Sequence, residues 1–232
     1  MNIIITGASK GFGKAIAEQF AAAGNVLFLC ARNESQLNAA ADELRKKYPR
    51  STVHIKPVDM RNKEAVLGFA DWCLSFGTMD ILVNNAGQFL PGSVHSEEDG
   101  LLEQMIETNL YGAYHLTRAL LPAMIKNKNG HIFNICSIAS IDAYANGGSY
   151  SISKFAMLGF SKNLREELKS FNIKVTAVLP GAAYTDSWSG SGVDPNRIME
   201  ADDIAKMIFA TSQLSQQACV EEILLRPQLG DL

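Results

Sequence analysis

TGASKGFG, residues 6–13, stands between two short patterns at the start of the chain. Before it, residues 2–6 are apolar and β-branched, as a buried strand requires. After it, Ala15, Ile16, Ala17, Phe20 and Ala21 recur at helical spacing between Lys14 and Ala23. The order is strand, glycine turn, helix. Such a turn is either structural or the point where a strand hands a phosphate to the positive end of a helix. Glycines at 7, 11 and 13 allow a tight turn, an approach of pyrophosphate to backbone N–H groups, and close packing of helix on strand. Their place between a first strand and a first helix favours a dinucleotide site over a bare turn. The spacing Gly7-x3-Gly11-x-Gly13 is not G-x-G-x-x-G, and the loop lacks the Lys-Ser/Thr ending of a nucleoside triphosphate loop.

Outward from this loop the same alternation continues. VLFLCAR (26–32) reads as a continuous apolar strand of the kind that helices cover on both faces. SQLNAAADELRKKY then reads as a helix stopped by Pro49, and STVHIKPVDM as a third strand ending near Asp59. A helix follows over about 63–76, then strand DILVNNAG (80–87), a long helix over about 98–125, and strand HIFNICS (131–137). A helix over about 150–170 leads to strand KVTAVLP (174–180), a Gly- and Ser-rich segment (181–199), a helix at 201–213 and a last apolar run, CVEEILL (219–225). Seven strands alternating with helices, joined by right-handed crossovers, predict one α/β domain: a three-layer αβα, Rossmann-type, doubly wound and mostly parallel seven-stranded sheet.

At 232 residues with 47% hydrophobic side chains, the chain can bury a single core without disulfides or metals. A net charge of -3 gives no basic excess, so neither nucleic acid nor an acidic membrane surface is expected as a partner. Cys30, Cys73, Cys136 and Cys219 are single, without zinc or redox spacing. His54, His95, His115 and His131 are scattered, and no metal site is expected. MNIIITG reads as a strand rather than a secretory signal, and no run approaches the ~20 apolar residues of a membrane span. The expected location is cytoplasmic.

TGASKGFG resembles the TGxxxGxG element of the short-chain dehydrogenase/reductase family, and the resemblance extends over roughly residues 2–185. Asp59 stands where that family binds adenine, NNAG (84–87) follows the fourth strand, and Asn109, Ser137, Tyr150 and Lys154 match its catalytic tetrad. Pro180-Gly181 follows the sixth strand, with Thr185 where a threonine contacts the carboxamide end of nicotinamide. The resemblance implies a cofactor site formed by Gly7, Ser9, Lys10, Gly11, Phe12, Gly13, Arg32, Asp59, Met60, Asn85, Ala86, Gly87, Tyr150, Lys154, Pro180, Gly181 and Thr185. It also implies a homodimer or homotetramer formed through the two long helices, whose apolar Ala113, Leu116, Leu120, Phe155 and Phe160 could serve that seam or the core.

The residues themselves suggest the chemistry. Tyr150 and Lys154, four apart, share a helix face, and an ammonium near a phenol of pKa near 10 favours phenolate and eases proton transfer. Ser137 at a strand end could hold a carbonyl oxygen beside the Tyr150 hydroxyl, and its ICSIAS context lacks the G-x-S-x-G elbow of acyl transfer. Ser140 and Ser151 lie nearby, but the family's thirteen-residue spacing to Tyr150 selects Ser137. Asn109 mildly disfavours its helix, so it faces solvent or is used, and the resemblance assigns it a carbonyl that holds a water linked to Lys154.

The second strand ends CARNES, with Ala31 where an NAD site carries an acid, Arg32 next to it, and Lys10 in the glycine loop. Cations suit a 2'-phosphate, so NADP(H) is favoured over NAD(H). The expected activity is hydride transfer between nicotinamide and a ketone, aldehyde or keto acid, with Tyr150 as general acid/base. The alternatives are a 3-oxoacyl-carrier-protein or thioester reductase and, in another class, an NADP-binding regulatory protein without turnover. Substrate walls are expected from 88–94, 138–144 and 183–193, with Phe89, Tyr144, Tyr184 and Trp188 as aromatic surfaces and a short lid at about 183–199 around Gly190 and Gly192.

Overall fold

The computed structural model describes residues 1–185 and 192–231. Its elements run β1 (Asn2–Thr6), α1 (Gly11–Ala22), β2 (Val26–Ala31), α2 (Glu34–Lys47), β3 (Thr52–Pro57), α3 (Lys63–Leu74) and β4 (Ile81–Asn84). They continue through α4 (Leu101–Ile106), α5 (Gly112–Asn127), β5 (Gly130–Ile135), α6 (Gly148–Leu168), β6 (Ile173–Pro180), β7 (Ala183–Tyr184), β8 (Met199–Glu200), α7 (Ala201–Ser212) and β9 (Glu222–Leu225). Seven strands form one sheet in the order β3-β2-β1-β4-β5-β6-β9. Every neighbouring pair in it is parallel, which makes the expected mostly parallel sheet wholly so.

The continuous apolar runs of the strands follow from burial on two faces. On β1, Ile3 and Ile5 face one core with Ile16, Phe20, Leu37 and Ile208 of α1, α2 and α7. Ile4 faces the other with Phe28, Phe69, Leu116, Leu120 and Leu164, which covers that side with α3, α5 and α6. Ala113, Leu116 and Leu120 are therefore core residues, while Phe155 stays exposed, which settles where these apolar side chains of the two long helices lie. Helices α2 and α3 are started by Asn33 and Asn62, whose side chains accept the backbone N–H of Gln36 and Ala65 at 2.9 Å each.

Two local features depart from the sequence expectation. The long helix over 98–125 begins at Leu101 and is broken by a π-helical turn at Glu107–Tyr111 before α5. The Gly- and Ser-rich segment contains a second small sheet, in which Ala183 pairs with Met199 and Tyr184 with Glu200. That pairing ties together the two ends of the expected lid. Trp188 and Gly190 lie outside the described residues. Among the described residues, no helix is long and apolar enough to cross a membrane, and no group of three His, Cys, Asp or Glu side chains could hold a metal ion.

Candidate functional site

The sheet order reverses between β1 and β4, and the crevice of a doubly wound sheet opens at the strand C-termini there. Two loops meet at this point. Gly7 has φ +66°, and a Cβ on it would stand 2.9 Å from Ala86 Cα and 3.0 Å from Asn85 Nδ2. Gly13 is held still more tightly, because a Cβ there would fall 2.3 Å from the Gly7 carbonyl oxygen. Thr6 joins the loops from beneath, its hydroxyl oxygen accepting the backbone N–H groups of Asn85 at 3.0 Å and Ala86 at 2.9 Å. The Asn85 side chain completes the joint by donating to the Thr6 and Gly7 carbonyls at 2.8 and 3.2 Å.

This cradle fits a dinucleotide. Unlike α2 and α3, α1 starts without a side-chain cap: Lys10 is extended at the N-cap and offers none to the first-turn amides. Those donors sit beside a surface kept bare by glycine, which is what an anionic pyrophosphate needs. Thr185 lies against the loop, its methyl 3.6 Å from where a Gly11 Cβ would be. Ser9 is half-buried beside it, whereas the Phe12 ring and the Met60 side chain pack into the core, which leaves only their backbones facing the crevice. Pro180 and Gly181 close the far side, with the Gly181 N–H donating to the Leu225 carbonyl at 2.7 Å.

The expected adenosine end carries Arg32 and an ion pair that the sequence expectation did not include. Arg32 is exposed at the end of β2, and Ala31 leaves no acid there. Asp59 is gripped by Arg61 through Nε at 3.1 Å to both carboxylate oxygens and a terminal nitrogen at 2.6 Å, and the Arg61 backbone N–H adds a bond of 3.0 Å. That fork holds the Asp59 carboxyl below its ordinary range, with a smaller push from Arg32. Arg61 had no signal in the sequence beyond its place two residues past Asp59.

At the other end, the expected tetrad residues come from the turn after β5, the π-turn and α6. Ser137 is the extended N-cap of a single 3-10 turn (Ile138–Ser140), and its oxygen accepts the Ala139 N–H at 3.1 Å. Ser140 is spent on the reciprocal bond to the Ser137 N–H at 3.1 Å, and so serves the turn rather than the substrate. Lys154 is buried, donates from Nζ to the Ile135 carbonyl at 2.8 Å and lies 5.7 Å from the centre of the Tyr150 ring. Burial pushes the Tyr150 phenol up from its ordinary pKa, the Ser137 hydroxyl pulls it back, and Cys136 adds a smaller upward push. Burial also pushes Lys154 down. Burial thus opposes the expected lowering of the phenol by a nearby ammonium.

Asn109 is 2% exposed in the π-turn. Its amide clasps one residue of the NNAG loop from both sides, accepting the Gln88 N–H at 2.8 Å and donating to the Gln88 carbonyl at 3.1 Å. It also donates to the Ser153 hydroxyl at 2.9 Å, which donates in turn to the Tyr150 carbonyl at 2.7 Å. The side-chain carbonyl thus already holds the Gln88 N–H, on the same corner as Gly87 and Lys154. Gly87 keeps this corner open, since a Cβ there would lie 3.1 Å from Asn109 Oδ1 and 3.7 Å from Lys154 Nζ.

Of the expected aromatic walls, Phe89 and Tyr144 border the site. The Phe89 ring meets Tyr150 edge-on at 4.9 Å and 82°, and burial with the nearby Tyr150 pushes the Tyr144 phenol up to about 12. Tyr184 does not join them, because its position on β7 turns it into a groove with Ala15, Gln19 and Tyr48.

Comparison with known proteins gives the same architecture. An uncharacterized oxidoreductase of Staphylococcus aureus is 30% identical over 227 residues, which is 97% of this chain and 96% of that protein. An alcohol dehydrogenase from the archaeon Thermococcus sibiricus, complexed with 5-hydroxy-NADP, superposes with a TM-score of 0.90 at 28% identity over 98% of this chain and 96% of that one. L-sorbose reductase from Gluconobacter frateurii, complexed with NADPH and L-sorbose, superposes with a TM-score of 0.88 at 28% identity over 97% and 94%. The short chain dehydrogenase family model matches residues 1–194. The glycine cradle, the NNAG joint and that match over most of the sequence place this chain in the short-chain dehydrogenase/reductase family.

Proposed function

We propose that this protein is an NADPH-dependent carbonyl reductase acting on small ketones, aldehydes or keto acids. The observation that carries this reading is the placement of the Tyr150 phenol against the Ser137 hydroxyl, with Lys154 Nζ 5.7 Å from its ring. When bound, the nicotinamide supplies the hydride. The Ser137 and Tyr150 hydroxyls aim at the carbonyl oxygen, where negative charge develops as the carbon is reduced. Tyr150 gives its proton to that oxygen and is left as phenolate. Lys154, held by the Ile135 carbonyl, stabilises the phenolate, and a water held by an Asn109 carbonyl returns the proton from solvent.

NADP(H) is the cofactor of this reading. Lys10 and Arg32 border the ribose end with no acid between them, and the Thermococcus and Gluconobacter neighbours carry NADP-type ligands. The family's assembly through long helices agrees with exposed Leu102, Tyr111, Tyr114, Ile152 and Phe155 on α4 through α6, and we assign that face to a second copy of the chain.

The test is oxidation of NADPH and of NADH across ketones, aldehydes, 2- and 3-keto acids and an acetoacetyl thioester. Turnover of the small carbonyls, stronger with NADPH, is expected. Arg32→Ala is expected to lower kcat/KM for NADPH about tenfold or more and to leave NADH nearly unchanged, since a charged pair to phosphate is worth on the order of 1.5–3 kcal/mol. A preference for NADH overturns the cofactor assignment, and activity confined to the thioester overturns the substrate class.

A further inference from the structure

Glu97, in the segment between β4 and α4, is half-buried and faces the start of α6. Its Oε1 accepts the Ser149 backbone N–H at 2.9 Å, and its Oε2 accepts the Ser149 hydroxyl. The chain has made room for this carboxylate. A Cβ on Gly92 would stand 2.7 Å from it, and one on Gly148, which has φ +36°, would overlap it. The same two segments are fastened again beside it, by the Gly92 N–H to the Asn146 carbonyl at 3.1 Å and the Ser93 hydroxyl to Asn146 Oδ1 at 2.8 Å.

The start of α6 needs such a partner. The first N–H groups of a helix have no acceptor within it, and the N-cap here is Gly147, which has no side chain. Where α2 and α3 are capped by a neighbouring asparagine, α6 takes its acceptor from 52 residues away in sequence. A carboxylate at that end also meets the positive pole of the helix. The residue it holds is the one immediately before Tyr150, and the segment it belongs to carries Phe89, whose ring edge rests on Tyr150.

We infer that Glu97 is a positioning residue for the Tyr150 general acid: by clamping Ser149 it fixes the first turn of α6, and with it the bearing of the phenol toward Ser137. The inference rests on the reductase reading for its catalytic consequence and on geometry alone for the clamp. Because the clamp joins the wall segment to the catalytic helix, Glu97 sets the distance between the Phe89 surface and the proton donor.

Three variants separate positioning from general structure. Glu97→Ala removes both acceptors and is expected to lower kcat about 30-fold, in line with the sensitivity of catalysis to misplacement on the ångström scale, with the NADPH dissociation constant unchanged within about twofold. It is also expected to speed hydrogen exchange at the Ser149 amide about tenfold or more, since that amide loses its acceptor. Glu97→Gln keeps an oxygen for the Ser149 N–H and an amide N–H for its hydroxyl, and is expected to restore kcat to within about threefold and exchange to near its original rate. Ser149→Ala removes only one of the two bonds and is expected to lose about threefold to fivefold in kcat, which keeps the test decisive where Glu97→Ala does not fold. An unchanged kcat in Glu97→Ala, an unchanged exchange rate at Ser149, or a Glu97→Gln as impaired as Glu97→Ala overturns the inference. Absence of turnover in the unsubstituted protein overturns the reductase reading instead, and the exchange rates then decide the clamp without it.

Discussion

A phenol pushed upward by burial makes Tyr150 a better store of a proton than a base, and this fixes the sign of its pH dependence. Reduction needs the protonated form, which is present below the phenol pKa and lost above it. The reductive rate is therefore expected to stay flat through neutral pH and to fall only beyond the ordinary tyrosine value of about 10, while alcohol oxidation, which needs the phenolate, rises about tenfold per pH unit over the same span. Initial rates in both directions across pH check this, and a reductive rate already falling near neutrality contradicts it. The proposed tetrad could be named from the sequence because Ser137, Tyr150 and Lys154 are chemically specific and stand at the family's spacing, and the structure brings Lys154 to the Tyr150 ring. The burial that opposes the expected lowering of Tyr150 was not legible: an i, i+4 pair states proximity, whereas desolvation depends on what packs on the pair, here the Phe89 ring. Asn109 shows the same division, since its side chain is spent on Gln88 and its place in a π-turn could not be read from helical periodicity.

Among the elements, the strand–turn–helix at the N-terminus does the most to place the site, and its glycines make a sharp prediction. Gly13→Ala puts a methyl against the Gly7 carbonyl, so loss of NADPH binding together with a destabilisation of about 1–3 kcal/mol, of the size seen for overpacking, is expected in titration and denaturant unfolding. Gly68→Ala, on α3 where a Cβ meets nothing within 4 Å, is the matched control and is expected to leave binding unchanged. Strands β5 and β6 carry a second prediction. Thr176 donates its hydroxyl proton to the Val220 carbonyl at 2.6 Å, so it accepts from His131 Nε2 at 2.8 Å, which fixes His131 as the neutral Nε2–H form. Burial lowers the His131 pKa to about 3, while an unfolded histidine titrates near 6.5. Because the folded value is the lower one, the unfolded state takes up the proton first, and stability is full above about pH 6.5 and is lost as pH falls toward 3. The loss is on the order of 4 kcal/mol, to be read as a fall in unfolding free energy that His131→Asn largely removes. All seven sheet strands were legible from their apolar runs. The β7–β8 pair was not, because two-residue strands carry no periodicity and their pairing is set by where the lid ends meet.

At the scale of the whole molecule, the sheet brings the glycine cradle, Tyr150 and the Phe89 wall proposed for the substrate to one edge, and exposed apolar side chains lie on α4 through α6. On the proposed assembly, the unsubstituted chain is expected to sediment as an oligomer and Phe155→Asp as a monomer, whereas Phe76→Asp, on an equally exposed ring by α3, is expected to sediment like the unsubstituted chain. The layer order was legible from alternation alone. What covers each helix face was not, since Leu116 and Phe155 look alike in sequence and only packing sends one to the core and the other to the surface. The central claim, that the crevice reduces a carbonyl with NADPH through the Tyr150 proton, is tested most directly by comparing the unsubstituted protein with Tyr150→Phe for NADPH oxidation on a small ketone, alongside the NADPH dissociation constant of each. Removal of the hydroxyl is expected to lower kcat by about 10²–10⁴-fold, the contribution of a placed general acid, while NADPH binding stays within about threefold. Turnover that survives in Tyr150→Phe within a factor of about three would place the proton donor elsewhere and contradict the account.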